Sequence, residues 1–183
     1  MVNINFFSIL LFMFFACAPQ KHISCYEENQ GILKMEESRV VDKNGREIIL
    51  NGCNTGNWLV LEMWMLDHAG SGIHDQYEFE NVLEGRFGKK KREELMELYR
   101  HSWITERDFA MIREFGMNTV RLPFEYRLLM DDDTPYKLKE NAWYWLDRAI
   151  HMAKENNLFV ILDMHGAPGR QSGMDHTGRS GYN

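Results

Sequence analysis

Apolar residues in the second half of the chain recur first at helical spacing and then in short unbroken runs. This alternation predicts successive α and β units. Over residues 139–156, Trp143, Leu146, Ala149, Ile150 and Ala153 fall on one face of a helix, and Asn156 and Asn157 stop it. The run LFVIL at 158–162 follows, bounded by Gly166, Pro168 and Gly169, and reads as a buried strand of a parallel sheet. Upstream, Thr105 is the expected N-cap of a helix over 106–115. Asp108 stands three residues on in place of the usual Glu or Gln, and Gly116 closes the helix. Between the two helices, NTVRL at 118–122 is a short strand halted by Pro123.

The first half is patterned differently. Residues 31–51 predict a hairpin, with alternating segments around Arg39-Val40-Val41 and Glu47-Ile48-Ile49 on either side of Asp42-Lys43-Asn44-Gly45. The stretch 48–53 continues apolar into the turn-rich GCNTGNWL, 63–72 reads as a loop, and 76–100 as one or two charged surface helices. Strand, helix, strand, helix, strand with right-handed crossovers means a parallel α/β sheet. No internal repeat of solenoid length is visible.

Residues 6–16, FFSILLFMFFA, form an apolar run too short to span a bilayer but suited to a signal-peptide core, although MVNIN before it has no Lys or Arg. Three readings stay open. Cleavage at Ala16-Cys17 resembles a lipoprotein site and would place a lipid on Cys17; ordinary cleavage before Cys25 is the second; a core helix is the third. Export, common to the first two, is favoured with the anchor left open, residues 1–24 being signal and short linker and 25–183 the domain.

Composition narrows the classes. With 183 residues the chain holds one ordinary core, and its net charge of −6 argues against nucleic acid as a partner. The basic run at 89–92 leads straight into acids and reads as a solvated helix face. Cys17, Cys25 and Cys53 cannot complete a disulfide framework and lack metal-ligand spacing; Cys53 reads as a buried free thiol. Five Trp suit a sugar-binding cleft, yet Trp-rich cores explain the same count.

The chemistry is expected where the parallel strands end. Asn54-Thr55-Gly56 with Trp58, Arg121-Leu122-Pro123 and Asp163-Met164-His165 then share one sheet edge. A strand Arg is costly unless paired, so Arg121 is either a structural ion pair with Asp163 or Glu125, or a charged fork serving a reacting carboxylate. His165, just past its strand and before Gly166, points to a cleft. Asp163, His165, Asp175 and His176 are near in sequence but follow no metal-ligand spacing. Neither metal nor organic cofactor is expected.

The segments NGCNTGNWLVLEMW, SWITERDFAMIREFGMNTVRLPFEY and NNLFVILDMHGAPGRQSGMDHTG resemble glycoside hydrolase family 5, and within it the exo-β-1,3-glucanase-like branch. The resemblance runs in order over residues 31–183. It implies a (β/α)8 barrel, here its first three β/α units behind the hairpin, with the active site at the C-terminal strand ends. It implies retaining hydrolysis of β-glucan by two glutamates about 5 Å apart. Arg121 matches the arginine beside the nucleophile, His165 the histidine of HGAPG, and Glu62 a glutamate that contacts sugar hydroxyls. Trp58, Asp175 and His176 complete the expected support set. Asn57 replaces a glycine, Met63 a proline, and His176 stands where Asn is usual. The family's two glutamates follow the fourth and seventh strands, and no Asn-Glu-Pro occurs here. The chain therefore reads as the N-terminal part of such an enzyme, monomeric, and inactive and poorly folded alone. A non-catalytic carbohydrate-binding protein and a metal-dependent hydrolase are the rival readings.

Overall fold

Local signals fix most of the elements of the computed structural model, which describes residues 31–68, 70–169 and 172–180. The N-terminal apolar run, Cys17 and Cys25 lie outside the described residues. The hairpin pairs β1 (Lys34–Glu36) with β2 (Arg39–Val41), and its turn takes Glu37 to a φ of 53°. This is one strand earlier than the sequence suggests. The Asp42–Gly45 turn does form, but its arms share a single bridge, Val41 to Glu47. The Asp42 carboxylate explains why, because it accepts the N–H groups of Asn44 and Arg46 at 2.8 and 2.9 Å and closes the turn on itself.

A parallel sheet follows in the order β3 (Gly52–Asn54), β4 (Thr119–Glu125), β5 (Phe159–Gly166). Asn54 sits opposite Arg121, and Arg121 opposite Ile161. Pro123 does not halt β4, as the sequence led us to expect. The carbonyl of Arg121 and the N–H of Glu125 bond toward Thr55 and Leu59, so the missing N–H of Pro123 falls on that same side, beyond the last residue of β3. A proline costs little where no neighbouring strand needs its donor.

Helices α1 (Gln76–Phe87) and α2 (Lys89–Trp103) form a charged pair, and α3 (Glu106–Glu114) and α4 (Tyr144–Glu155) cover the sheet. Single-turn 3-10 segments lie at Met63–Leu66, Tyr126–Leu128 and Asp175–Thr177. Val120, Leu122 and Phe124 of β4 meet Phe109, Leu146, Ala149, Met152 and Ala153 in the main core. The helix begins at Tyr144, and the face it packs on β4 and Phe109 is rotated from the one expected. Trp145 and Met152 are buried, while Trp143 and Ile150 are 51% and 42% exposed. On β5, Ile161 and Leu162 are 42% and 51% exposed rather than buried, because β5 is an edge of the described sheet. Cys53 is a half-buried free thiol.

The start of α3 is as expected. Asp108 Oδ2 accepts the backbone N–H of Thr105 at 2.7 Å and its hydroxyl at 2.8 Å, and Gly116 follows the helix at a φ of 80°. Asp108→Ala is expected to cost about 1 kcal/mol, a loss of roughly 2–4 °C in melting temperature readable by calorimetry.

Candidate active site

One face of the sheet carries the chemistry. Side chains alternate along a strand, so Asn54, Arg121, Asp163 and His165 share a face, opposite to the one that packs on α3 and α4. The Arg121 guanidinium donates to Asp163 Oδ2 at 2.5 Å and to Asn54 Oδ1 at 3.4 Å. His165 Nδ1 is 3.1 Å from the same guanidinium nitrogen and 2.9 Å from Asp163 Oδ2. A proton on Nδ1 is donated to Asp163 and makes Nε2 an acceptor. Of the two ion-pair partners open to Arg121, Asp163 is the one found. All three side chains are part-exposed, so the charges face an accessible surface rather than the core.

The loop after β3 reaches the same region through Asp175. Its Oδ2 accepts the N–H of Met63 at 3.0 Å, across 112 residues, which fixes Glu62 against the loop after β5. The Glu62 N–H in turn donates to Asn57 Oδ1 at 2.7 Å. Asn57 is fully buried at a φ of 59°. Asparagine tolerates this left-handed backbone, and its amide also donates to Tyr99 Oη at 3.1 Å, a bond no glycine can make. Glu62 Oε2 accepts the indole N–H of Trp64 at 2.8 Å, and Trp64 is 59% exposed. His176 lies against His165, ring centres 5.1 Å apart, with its Nε2 at 3.0 Å from Ser172 Oγ.

Five of the six expected support residues are thus linked through direct contacts or neighbouring backbone. Trp58 is the exception and has to be corrected. It is 1% exposed in the main core, edge-on to Phe109 and Trp145, and its indole donates to the carbonyl of Arg100 at 2.7 Å. An indole with its one donor satisfied inside is a packing residue. Sequence reasoning placed Asn54 at the shared sheet edge but did not single out Ser172 or Trp64, which carry no local signal. Among the described residues, no three of His, Cys, Asp and Glu gather as a metal-ligand set.

The profile described as Cellulase (glycosyl hydrolase family 5) matches residues 75–181, more than half of the chain. The chain belongs to glycosyl hydrolase family 5. Among family relatives, it is 32% identical over 140 residues to a protein named Beta-xylosidase from Phanerodontia chrysosporium, covering 76% of this chain and 29% of that one. It is 37% identical over 142 residues to a probable glucan 1,3-beta-glucosidase A from Aspergillus clavatus, covering 75% of this chain and 33% of that one. The chain therefore spans about a third of the length of these relatives. The crystal structure of rutinosidase from Aspergillus niger superposes with a TM-score of 0.58 at 23% identity, over 72% of this chain and 37% of that one, and so shares the fold.

This family 5 chain holds a second polar cluster, almost wholly buried. Arg127 forks onto Glu125, with Nε to Oε2 at 3.0 Å and Nη2 to Oε1 at 2.9 Å, and reaches Glu80 at 3.0 Å. Gln76 donates to Glu80 at 2.7 Å and Glu125 at 2.8 Å. A Cβ on Gly166 would stand 2.8 Å from Glu125 Cβ and 2.6 Å from the carbonyl of Thr177, so the first glycine of HGAPG is needed to let Glu125 in. Burial pushes the Glu125 carboxyl up to about 7, against the pull of Arg127. A folded-state value above the unfolded 4.5 means that the native protein holds the extra proton between those limits. Stability from this group is therefore present below about pH 4.5 and lost as pH rises to about 7, by roughly 3 kcal/mol. Urea midpoints measured from pH 5 to 8 are expected to fall, and Glu125→Gln to flatten that slope.

Proposed function

We propose that the chain is the N-terminal part of a retaining β-glycosidase that acts on β-glucan, built on a (β/α)8 barrel. The β-hairpin and the first three β/α units lie in residues 25–183, behind an export signal in residues 1–24. The single observation that carries the reading is the joining of Arg121, Asp163 and His165 on one sheet face of a family 5 chain, within 3.1 Å of one another. In this reading the acid/base and nucleophile glutamates come from strands beyond β5. Arg121 orients the nucleophile and balances its charge, while His165, His176 and Glu62 bind hydroxyls of the sugar being cleaved. Asp175 holds the Glu62 segment in place, and Trp64 offers its exposed indole beside Glu62. No metal or organic cofactor takes part, and the enzyme acts as a monomer, freely secreted or anchored through Cys17.

Two arguments support the reading. The strand-end position is where this architecture gathers its active sites. A guanidinium beside an imidazole suits a site where carboxylates change charge during the reaction. The relatives' names are divided between glucan and xyloside, so the sugar itself needs a direct test. Full-length enzyme is expected to release glucose from β-1,3-glucan with the β-anomer formed first, seen by proton NMR, and to keep its rate in a strong chelator. Inversion at the anomeric carbon, loss of activity in chelator, or faster release from xylosides than from any glucan would each refute the reading as stated.

A further inference from the structure

The loop after β5 brings Asp175 and His176 to the strand-end cluster, and its far end rests on the buried Glu125–Arg127 pair. Asp175–Thr177 is a single turn closed by Gly178, whose N–H donates to the carbonyl of Asp175 at 2.9 Å. Gly178 is thereby tied to His176. It stands at a φ of 76° directly against Glu125, where a Cβ would lie 3.1 Å from Glu125 Cδ and closer still to Oε2. Its carbonyl accepts the N–H of Tyr77 at 3.0 Å and a longer bond from Arg127 Nη2 at 3.5 Å. Beyond Gly178, the N–H and hydroxyl of Ser180 fasten the loop to Asp75 Oδ2 at 2.5 and 2.8 Å. A displacement at Gly178 is thus passed back toward His176 rather than onward along the chain. The register of β4 and β5 also shifts at this point, so that Glu125 pairs with Gly166 and leaves His165 as the extra residue. Such a bulge re-aims its side chain, and Glu125 lies beside it.

We propose that Glu125 is a positioning residue for the strand-end site, its charge setting where the loop after β5 holds His176 and Asp175, a role that rests on the glycosidase reading of that site. As a carboxylate, Glu125 receives both prongs of Arg127, Nε at 3.0 Å and Nη2 at 2.9 Å. The fork fixes the same Nη2 that reaches the Gly178 carbonyl. A proton turns one of these oxygens from acceptor to donor, breaks a prong and loosens the seat of Gly178. The groups that face the carboxyl are Gln76 and Glu80 of α1, Arg100 of α2 and Arg127, while β5 and its loop present Gly166 and Gly178. Burial pushes the carboxyl up to about 7, so the loop is held firmly at pH 8 and loosely at pH 5.

Glu125→Gln keeps the shape and fixes the neutral form, and two readouts on the full-length protein test the role. Amide hydrogen exchange of residues 172–180, corrected for intrinsic rates, is expected to be about tenfold faster in the variant than in the wild type at pH 8, and equal at pH 5. On β-glucan the variant is expected to raise KM about tenfold at pH 8 with kcat within about threefold, and to match the wild type at pH 5. Equal exchange at pH 8 overturns the proposal whether or not glucan is hydrolysed. A difference that persists at pH 5 overturns the dependence on charge. Faster exchange with unchanged KM overturns the link to the site, and so does a loss of kcat that follows a lower melting temperature. Absence of hydrolysis in the wild type counts against the glycosidase reading, and the exchange rates then decide the seat of the loop by themselves.

Discussion

Arg121→Ala is expected to lower kcat/KM of the full-length enzyme on β-glucan by two to three orders of magnitude. Fixed charges placed where charge changes in the transition state are typically worth about 10² to 10³ in rate. Among the described residues, Arg121 is the group that touches Asn54, Asp163 and His165 together, at 3.4, 2.5 and 3.1 Å. Its removal frees His165 to turn toward Asp163 alone and takes away the positive charge beside the expected nucleophile. Stability is expected to change little, because the Arg121–Asp163 pair is 36% and 27% exposed and solvent screens it. Arg121→Lys should not restore the rate, since an ammonium cannot hold an acid and an imidazole in one plane. Initial rates beside a thermal melt read both effects. Near-normal turnover in the alanine variant, or a rate loss that only mirrors unfolding, would count against the assignment.

The juxtaposition behind that prediction was legible because it rests on strand-end polarity, which survives errors of several residues in element bounds. Arg121 and His165 fall on the same face whether β4 ends at Leu122 or, as found, at Glu125. The capping box at Thr105 and Asp108 was legible for a similar reason, because it is a contact over three residues. The misread elements depend on partners far away in sequence. Pro123 stays in β4 only because β3 has stopped beside it. The buried face of α4 is set by its packing on β4 and Phe109, and neither Trp143 nor Ile150 shows in sequence that it faces outward. Trp58 misled because strand-end polar residues and a core indole occupy the same short segment. Tying it to the carbonyl of Arg100 takes a contact across 42 residues.

The buried Glu80–Glu125–Arg127 cluster was the least legible part, since Glu80 comes from α1 while Glu125 ends β4 and Arg127 lies in the turn after it, 47 residues from Glu80. Its energetics give the largest stability effect expected in the molecule. Arg127→Met should cost about 3–5 kcal/mol at pH 8, the usual result of breaking a buried ion pair from one side. The loss comprises the two-pronged contact with Glu125 at 2.9 and 3.0 Å and the bond to Glu80 at 3.0 Å. The guanidinium also lies over the Tyr77 ring at 5.3 Å, so the packing of α1 suffers as well. Without Arg127, Gln76 alone is left between two carboxylates. The remaining groups around Glu125 are Glu80, which raises its proton affinity, and Arg100, which lowers it. Burial and Glu80 then drive the carboxyl above the value of about 7 that it has with Arg127 present. The folded variant takes up a proton that the unfolded chain does not hold, and its deficit shrinks as pH falls toward about 5. Adding Glu125→Gln to Arg127→Met should recover much of the loss at pH 8 and little at pH 5, because a neutral amide replaces the charge that cost most. Urea denaturation of the wild type, both single variants and the pair at the two pH values closes the cycle. A loss below about 1 kcal/mol, or one that does not change with pH, would mean that water reaches the cluster and screens it.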